Sequence, residues 1–548
     1  FATSFDVVGG AKKLGTPLES NDFISIDYPK ASADKLNKCL SVRPIKKKWA
    51  KAKITIDGKK YDAKIKFHGS SELHYINNKY SYSVKLSKYG SYYNNGRRFK
   101  LIKGEEVDPT VFSANYIANK YDLICATGSM KMVKINGEDA GYYYFVEDIK
   151  KDLLEREYGI TNYAIVEQYS HWQRKESAMY QSPHMSELDL EVEHLDSKDE
   201  LLRNKAISMF GIVKDLCNEE KKEELLNYFD ANYIGKYMAM AQLFNDAHFL
   251  TGDNLKFVYD FNRAKFYPIY RSEQGWVPMN DDISLAKKRS INNFGDFNHI
   301  LFETQTKFGK GEIAKLLKTL LSIDEVRKAR GRSLKRIVDH KSKIMNGVNG
   351  SIQTNSRVML HSTQSRRVYR LKCSEMNEHL LEMFETVRRY INYNLIYCSF
   401  DKNSRELTVI NDGFTHVKLK RISDGQSLKY LKGAHFDINL DHHFVRHSLQ
   451  IQDTIFDKKH YAFYNTITGE RIPNKNVSVN IVDRTDLITE KNTIEMLDAN
   501  AVRYKIENDD LIIEEGSYSI SSQVVISSNY ILIITEGTTF KIGPGIVF

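Results

Sequence analysis

Residues that can perform chemistry occur in three clusters, in a fixed order along the chain. The first is a small, flexible turn, Gly69-Ser70-Ser71, followed by the alternating sequence KYSYSVKL, which carries Lys79 and Lys85. Alternate side chains of a strand share a face, so both lysines are predicted on one cationic, hydroxyl-rich face. Such a turn and face could bind phosphate oxygens through backbone N–H groups and lysine charge. Solvated lysines on an edge strand explain the same pattern equally well.

The second cluster is a hydrophobic strand, GYYYFV, that ends in Glu147 where a helix is predicted to begin. Glu147 could pair with a lysine held over a phosphate. An acid at a helix N-terminus is also stabilised by the helix macrodipole alone, and this explanation is preferred until a lysine partner is identified.

The third cluster closes a strongly apolar helix and contains Asp246, His248 and Asn254. Polar groups after a buried helix are costly to desolvate, which favours a functional site. Asp246 could accept a hydroxyl proton, and the amide oxygen of Asn254 could bind a hard cation. A helix end capped by local Asx turns is the alternative explanation.

Together the clusters supply the parts that phosphoryl transfer uses: a lysine, an orienting acid, a catalytic base and a magnesium ligand. From about residue 50 to 300 the chain resembles the CotH family, the atypical protein kinases of bacterial spore coats and related surface proteins. The resemblance depends on the order of three motifs: the glycine-serine turn with its lysines, a G-x-Y-x-x-x-E pattern, and D-x-H…N followed by F-Y-P-I.

The resemblance implies a two-lobed kinase-like fold that uses ATP and Mg²⁺. It also assigns roles to residues of this chain. ATP phosphates would contact the turn, Gly69-Ser70-Ser71, and one lysine, Lys85 or Lys79. Glu147 would orient that lysine, Asp246 would be the base, and the amide of Asn254 would bind the metal.

The chain departs from the family at one metal ligand. The family has an aspartate shortly after the strand that contains the Pro-Ile pair, and Ser272 stands there in this chain. Glu273 would replace it as a longer metal ligand, or the positive Arg271 would disfavour a metal and abolish the chemistry.

Two functions therefore remain open. One is a kinase that transfers the ATP γ-phosphoryl group to Ser or Thr of a partner protein. The other is a weak or inactive pseudokinase that serves as a binding or structural module of a larger bacterial surface or secreted protein. The partner would be a protein substrate or a surface or coat protein.

Hydrophobic periodicity predicts an α+β chain that positions these clusters. We expect an N-terminal extension over 1–50, a β lobe over 51–145 and a helical lobe over 146–393. A β-sandwich-like domain is predicted over 394–490, and the first coils of a parallel β-helix over 491–548. Strand alternation around D-G and N-G turns indicates the β lobe, and a hairpin is expected near 255–270. The acidic stretch 187–200 is expected to be a solvated helix face.

An internal repeat indicates the β-helix. The sequence LIIEEG, which begins at Leu511, recurs as LIITEG from Leu532. Short strands that stack on copies of themselves are typical of a right-handed parallel β-helix, which could also contact glycans. We expect Leu511, Ile513, Leu532 and Ile534 inside it, and we expect further coils after Phe548. A plain β-meander is the alternative.

Composition restricts the class of protein. The chain has 548 residues, 41% hydrophobic and 27% charged, with a net charge of +10, which indicates a folded protein of several domains. Five widely spaced cysteines indicate neither a disulfide framework nor a zinc knuckle. No apolar run is long enough to span a membrane. The basic run at 43–48 is short and interrupted, so nucleic-acid binding is not expected. The chain begins with Phe1, which suggests missing upstream sequence and a secreted or cell-surface protein.

Overall fold

The structure, a computed structural model, describes most of the chain between Leu18 and Ile542. The described residues are 18–19, 22–40, 47–69, 79–87, 93–94, 96–104, 107, 109–168, 190–195, 199–218, 221–244, 255–271, 312–359, 366–402, 404–413, 415–423, 425, 427–431, 446–451, 456–482, 490–508, 510–522, 524–527 and 530–542. The chain mixes helices with several separate sheets and forms two compact units. The first contains the chain up to Tyr393, and the second contains most of the chain from Asn394 onward.

Seven strands of the first unit form a closed barrel: β1 (Phe23–Asp27), β2 (Ala50–Ile56), β3 (Lys59–Phe67), β4 (Tyr82–Leu86), β5 (Arg98–Lys103), β6 (Gly128–Ile135) and β7 (Glu138–Glu147). Their order is β1-β2-β3-β4-β5-β7-β6, and β6 closes the barrel by pairing in parallel with β1. Alternate residues point inward, and their apolar side chains, among them Ile54, Ile65, Val84 and Leu101, fill the interior.

Both predicted hairpin turns of the β lobe are confirmed. Asp57-Gly58 joins β2 to β3, Asn136-Gly137 joins β6 to β7, and all four residues have positive φ. A two-residue turn with this backbone matches the twist of the strands that it connects.

Residues 22–40, assigned from the sequence to an N-terminal extension, are instead part of the barrel. β1 pairs with both β2 and β6, so the barrel cannot close without it. The following helix α1 (Lys30–Leu40) adds Leu36 and Cys39 to the same core. The sequence did not indicate this role because β1 is only five residues long and its partner β6 lies far away in the sequence.

Eight further helices of the first unit follow within the described residues: α2 (Pro109–Lys120), α3 (Lys151–Tyr158), α4 (Glu200–Asn218), α5 (Ala231–Leu243), α6 (Glu312–Leu321), α7 (Asp324–Asp339), α8 (Lys341–Met359) and α9 (Arg366–Asn392). A 3₁₀ helix spans Lys222–Asn227. Part of the outer barrel surface packs beneath these helices, because Ile102 and Tyr144 share a core with Phe112, Val358 and Met359.

The predicted helical lobe also contains a four-stranded antiparallel sheet: β8 (Tyr163–Gln168), β9 (Leu190–Leu195), β10 (Lys256–Asp260) and β11 (Lys265–Pro268), in the order β11-β10-β8-β9. The β10–β11 pairing confirms the hairpin expected near 255–270. The expected helix face within 187–200 is wrong for 190–195, because the sequence LEVEHL alternates and pairs with β8.

The second unit begins with two sheets that share one hydrophobic core. One sheet contains β12 (Asn394–Asp401), β13 (Glu406–Gly413), β16 (Arg446–Gln450) and β18 (Val477–Val482); the other contains β14 (Val417–Arg421), β15 (Ser427–Leu431) and β17 (Tyr461–Asn465). A 3₁₀ helix spans Asn474–Asn476. Two sheets packed face to face on their inward side chains are the arrangement of a β-sandwich.

The internal repeat forms stacked parallel strands. After α10 (Glu490–Ala499), the chain forms β19 (Tyr504–Glu507), β20 (Asp510–Ile513), β21 (Ser517–Ile520), β22 (Ile531–Ile534) and β23 (Thr539–Ile542). β20 pairs in parallel with β22, Leu511 opposite Leu532 and Ile513 opposite Ile534, so the predicted stacking is confirmed. Leu511 and Ile513 are buried, whereas Leu532 and Ile534 are 37% and 49% exposed, so only the first copy is interior.

Candidate functional site

Four predicted site residues lie within the described part of the chain: Gly69, Lys79, Lys85 and Glu147. Five lie outside it: Ser70, Ser71, Asp246, Asn254 and Glu273.

The two candidate lysines lie far apart. The Lys79 ammonium donates a hydrogen bond of 3.3 Å to the backbone oxygen of Tyr142 and lies 4.9 Å from the Tyr142 and Tyr143 ring centroids. Lys85 lies opposite Arg98, and on the next strand, β7, the residue beside Arg98 is Asp148. Tyr142 and Asp148 are six residues apart, about 20 Å of strand. One phosphate group therefore cannot contact both lysines, and the two stay alternatives.

The predicted pairing of Glu147 with a lysine is wrong. Glu147 lies opposite Phe99, which points into the barrel core, whereas Lys85 lies opposite Arg98 on the outer surface. Directly paired residues of an antiparallel sheet point to the same face, so Glu147 and Lys85 lie on opposite faces. The Glu147 carboxylate instead binds Arg156 through two hydrogen bonds, of 2.7 Å and 3.3 Å.

The Glu147–Arg156 pair anchors the end of β7 to α3. Burial raises the pKa of Glu147, and the hydrogen bonds from Arg156 oppose that rise. A Cβ atom on Gly96 would lie 2.3 Å from Oε1 of Glu147, so the chain at Gly96 approaches this carboxylate closely. These contacts are typical of a structural ion pair.

The neighbouring acid, Asp148, holds a lysine on the outer surface. Its Oδ1 lies 3.3 Å from Nζ of Lys100, and its backbone N–H donates to the carbonyl oxygen of Arg98. Burial raises the pKa of Asp148, but the positive charges of Lys100, Lys150 and Arg98 outweigh burial and lower this pKa to about 2. An acid at the end of β7 thus orients a barrel lysine, but both residues differ from those predicted.

Four cations lie in one row across the outer surface, and we call this row the cationic ladder. Lys51 lies opposite Lys64, Lys64 opposite Lys85, and Lys85 opposite Arg98, on four adjacent strands. Neighbouring strands are about 4.8 Å apart, and like charges directly opposite each other destabilise a sheet. Burial and the adjacent cations, Arg98 first, lower the pKa of Lys85. Such a row is suited to a ligand with several negative charges.

Polar and aromatic groups border the cationic ladder. In the next row Lys66 lies opposite Ser83, and the Lys66 ammonium lies 4.9 Å from the ring centroid of Trp49. The Ser83 hydroxyl lies 3.3 Å from Nδ1 of His68. Gly69 follows directly with a φ of 86°, a conformation that favours glycine. The predicted phosphate turn therefore begins beside this surface.

A second group of charges lies at one edge of the four-stranded sheet, the edge where β10 begins and where β8 and β11 end. Lys256 at the start of β10 forms an ion pair with Glu167 of β8, whose side chain is almost fully buried. The backbone N–H of Ile269 donates to the carbonyl oxygen of Lys256, and Arg271 follows two residues later. The chain reaches this edge directly after Asn254 and continues from it toward Glu273. The described ends of both predicted metal-binding segments thus lie at one sheet edge.

Two further properties concern only the described part of the chain. No group of three or more His, Cys, Asp and Glu side chains there is arranged to hold a metal ion. No helix there is both long enough and apolar enough to cross a membrane.

No model of a known protein family matches the chain, and no curated protein matches it significantly. The resemblance to the CotH family therefore stays a prediction from the motifs.

The sequence did not identify five residues of the cationic outer surface of the barrel: Lys51, Lys64, Arg98, Lys100 and Asp148. The signal was the recurrence of lysine two positions apart, at Lys51 and Lys53 of AKAKITI and at Lys64 and Lys66 of KKYDAKIKF. In the sequence alone this pattern is typical of a solvated strand face. Only the register between the strands shows that the cations form one row.

Proposed function

We propose that the chain is a CotH-like atypical protein kinase that binds the phosphates of ATP on the outer barrel surface and transfers the γ-phosphoryl group to Ser or Thr of a partner protein. The observation that carries this proposal is the cationic ladder beside the Lys100–Asp148 ion pair.

The outer surface is the part of the barrel that suits a polyphosphate. The interior is filled by buried apolar side chains, so no ligand fits there. Outside, Lys85 and Arg98 offer adjacent positive charges, and the fork of Arg98 can bind two phosphate oxygens at once. Lys100 is fixed by Asp148, so its ammonium is already oriented before a phosphate arrives. Phosphoryl transfer depends mainly on such positioning and charge stabilisation.

The remaining roles fall to residues outside the described part of the chain. Asp246 would accept the proton of the attacking hydroxyl. Asn254 and Glu273 offer the amide and carboxylate oxygens that Mg²⁺ prefers, so the donor types fit this ion. When bound, Mg²⁺ neutralises charge on the transferred phosphoryl group.

A pseudokinase is the second candidate, and the sequence Arg271-Ser272-Glu273 favours it. A fixed positive charge stands next to the serine that replaces the family's metal-binding aspartate. In that case the cationic ladder would bind an anionic group of a partner, and the chain would act as a binding or structural module of a surface or secreted protein. The stacked β20 and β22 would then supply spacing or contact glycans.

Thermal unfolding with ATP and incorporation of labelled phosphate test both candidates. A ligand that binds only the folded state raises the melting temperature. We expect Mg-ATP to stabilise the wild type and Lys85→Ala and Lys100→Ala to lose this effect. Lys134→Ala removes an exposed barrel lysine near Phe23, away from the ladder, and is the matched control.

Phosphate incorporation that requires Lys100 supports the kinase. Stabilisation by ATP without incorporation, with either Mg²⁺ or Mn²⁺, supports the pseudokinase. If ATP neither stabilises the protein nor transfers phosphate, the kinase proposal is wrong, and so is a pseudokinase that binds nucleotide; a module that binds an anionic group of a partner is then left.

A further inference from the structure

A second cationic site lies in the first unit, away from the barrel surface. It is an open cavity of 370 Å³ between α5 and α7, within the size range of small-ligand sites, and Asn232, Arg332 and Arg336 at its rim are exposed to solvent. Its polar lining comes from two helices and from the turn after α2: Tyr121, Asn232, Lys236, Arg332, Ser333 and Arg336.

Helical spacing directs these side chains into the cavity. Asn232 and Lys236 are four residues apart on α5, and Arg332 and Arg336 are four residues apart on α7, so each pair shares a helix face. Gly235 lets the two helices approach closely, since a Cβ atom there would lie 2.5 Å from the Cβ of Ala329. The close contact brings the two pairs to the same cavity.

The cavity is positively charged. Three cations line it, and no acid is among its lining residues. Lys236 pairs at 3.2 Å with Asp122, whose side chain is 77% exposed. Arg332 donates to the amide oxygen of Asn232 at 3.0 Å, and Arg336 lies 5.0 Å from the Tyr121 ring centroid. Two arginines at this spacing repel each other, which an anion between them would relieve.

A buried donor in the wall also lacks a partner within the described part of the chain. Tyr121 is 3% exposed, and its hydroxyl makes no hydrogen bond to any described residue. Burial raises the pKa of Tyr121 to about 12, although Arg336 opposes the rise, so the hydroxyl keeps its proton at neutral pH. A buried donor without an acceptor is destabilising. The hydroxyl oxygen is not accessible to solvent, so a ligand oxygen in the cavity would satisfy it once the Tyr121 side chain turns toward the ligand.

We propose that this cavity binds a phosphomonoester group. A phosphomonoester carries a charge of about −1.5 to −2 and three acceptor oxygens, which match two guanidinium forks, an ammonium and a phenol donor better than a single carboxylate does. The group can belong to a phosphorylated Ser or Thr of a protein or to a small free phosphate. This site is independent of ATP binding on the barrel.

Binding of three probes to the full chain tests the proposal: a phosphoserine peptide, its unphosphorylated form and inorganic phosphate, each by calorimetry. The double variant Arg332→Gln/Arg336→Gln should bind the phosphorylated probes at least ~10-fold more weakly, about 1.4 kcal/mol. Lys335→Gln is the matched control, because Lys335 lies on the same helix and pairs with Asp339 outside the cavity. It should bind like the wild type.

Tyr121→Phe tests the same site without removing charge. It keeps the ring beneath Arg336 and should weaken binding by roughly threefold to tenfold, the loss of one hydrogen bond. Tighter binding of the phosphopeptide than of inorganic phosphate identifies a phosphorylated protein as the ligand. Equal affinity of the two probes identifies a small free phosphate as the ligand. Two results would overturn the proposal: no binding of either phosphate probe at millimolar concentration, or wild-type affinity in Tyr121→Phe and the double variant.

Discussion

Asp148 lies 3.3 Å from Lys100 on the outer surface of the barrel, while its neighbour Glu147 binds Arg156 on the other face. Consecutive residues at a strand end point to opposite sides, so a shift of one position decides which acid reaches the cationic ladder. Asp148 is therefore the acid that orients Lys100, the lysine that we propose to bind phosphate.

The pKa of Asp148 predicts a pH dependence of stability. Its folded-state pKa of about 2 lies below the ordinary 3.8, so the charged form stabilises the fold. This contribution, about 2 kcal/mol, is present above about pH 4 and is lost as the pH falls toward 2. Asp148→Asn should destabilise the barrel at pH 6 and by only about a third of that amount at pH 2.5, measured by hydrogen exchange of barrel amides. Glu138→Gln, an exposed change on β7, should match the wild type at both pH values.

Reversing one charge of the cationic ladder should stabilise the protein. Lys64→Glu places an acid between Lys51 and Lys85 and replaces two repulsions by two attractions. We expect a gain of about 0.5–1 kcal/mol at low salt, visible as a higher melting temperature, and a smaller gain in 0.5 M salt. Lys60→Glu on the same strand lies opposite Thr55 and should change little. An equal gain from both variants would contradict a specific effect of the row.

Glu147→Gln and Asp148→Asn should separate the two acids by function. Glu147→Gln weakens the contact with Arg156 and should leave stabilisation by Mg-ATP unchanged. Asp148→Asn frees Lys100 and should reduce that stabilisation, because a lysine without its acid is less well oriented. The opposite result, a nucleotide effect lost only in Glu147→Gln, would restore the original assignment. Melting temperatures with and without Mg-ATP give the answer.

Asp246→Asn tests the base without disturbing the barrel. The variant should keep the stabilisation by Mg-ATP and should lower phosphate incorporation by roughly 100-fold or more, because an amide cannot accept the hydroxyl proton. Incorporation at the wild-type rate would exclude this role for Asp246.

The stacked strands of the second unit should respond unequally to truncation. Leu511→Ala removes a fully buried side chain and should cost about 3 kcal/mol. Ile533→Ala, on the neighbouring strand, removes a side chain that is 40% exposed and should cost less than about 1 kcal/mol. Hydrogen exchange of β20 and β22 amides measures both, and equal effects would contradict the burial of Leu511.

Local patterns made much of the fold predictable. Strand alternation and the Asp57-Gly58 and Asn136-Gly137 turns are short-range features, and the repeat places Leu511 over Leu532. Closure of the barrel by β1 could not be predicted in the same way, because a strand of five residues gains its role only from a distant partner.

The candidate site was less predictable, since it depends on register between strands. The sequence shows that Lys64 and Lys85 are strand lysines, but only the pairing puts them opposite each other. The cavity was also only partly predictable. The helical spacing of Arg332 and Arg336 is visible in the sequence, whereas Tyr121 belongs to a segment far away in sequence.

The parallel pairing of β1 with β6 also constrains how the protein can be made. On the ribosome, β1 emerges early, and its second edge has no partner until Met132 and Val133 have left the exit tunnel. An unpaired strand edge promotes association with other chains, and contacts between distant segments form slowly. A nascent chain halted before β6 should therefore expose this edge and depend on chaperones, whereas one halted after Glu147 has left the exit tunnel can pair all seven strands of the barrel.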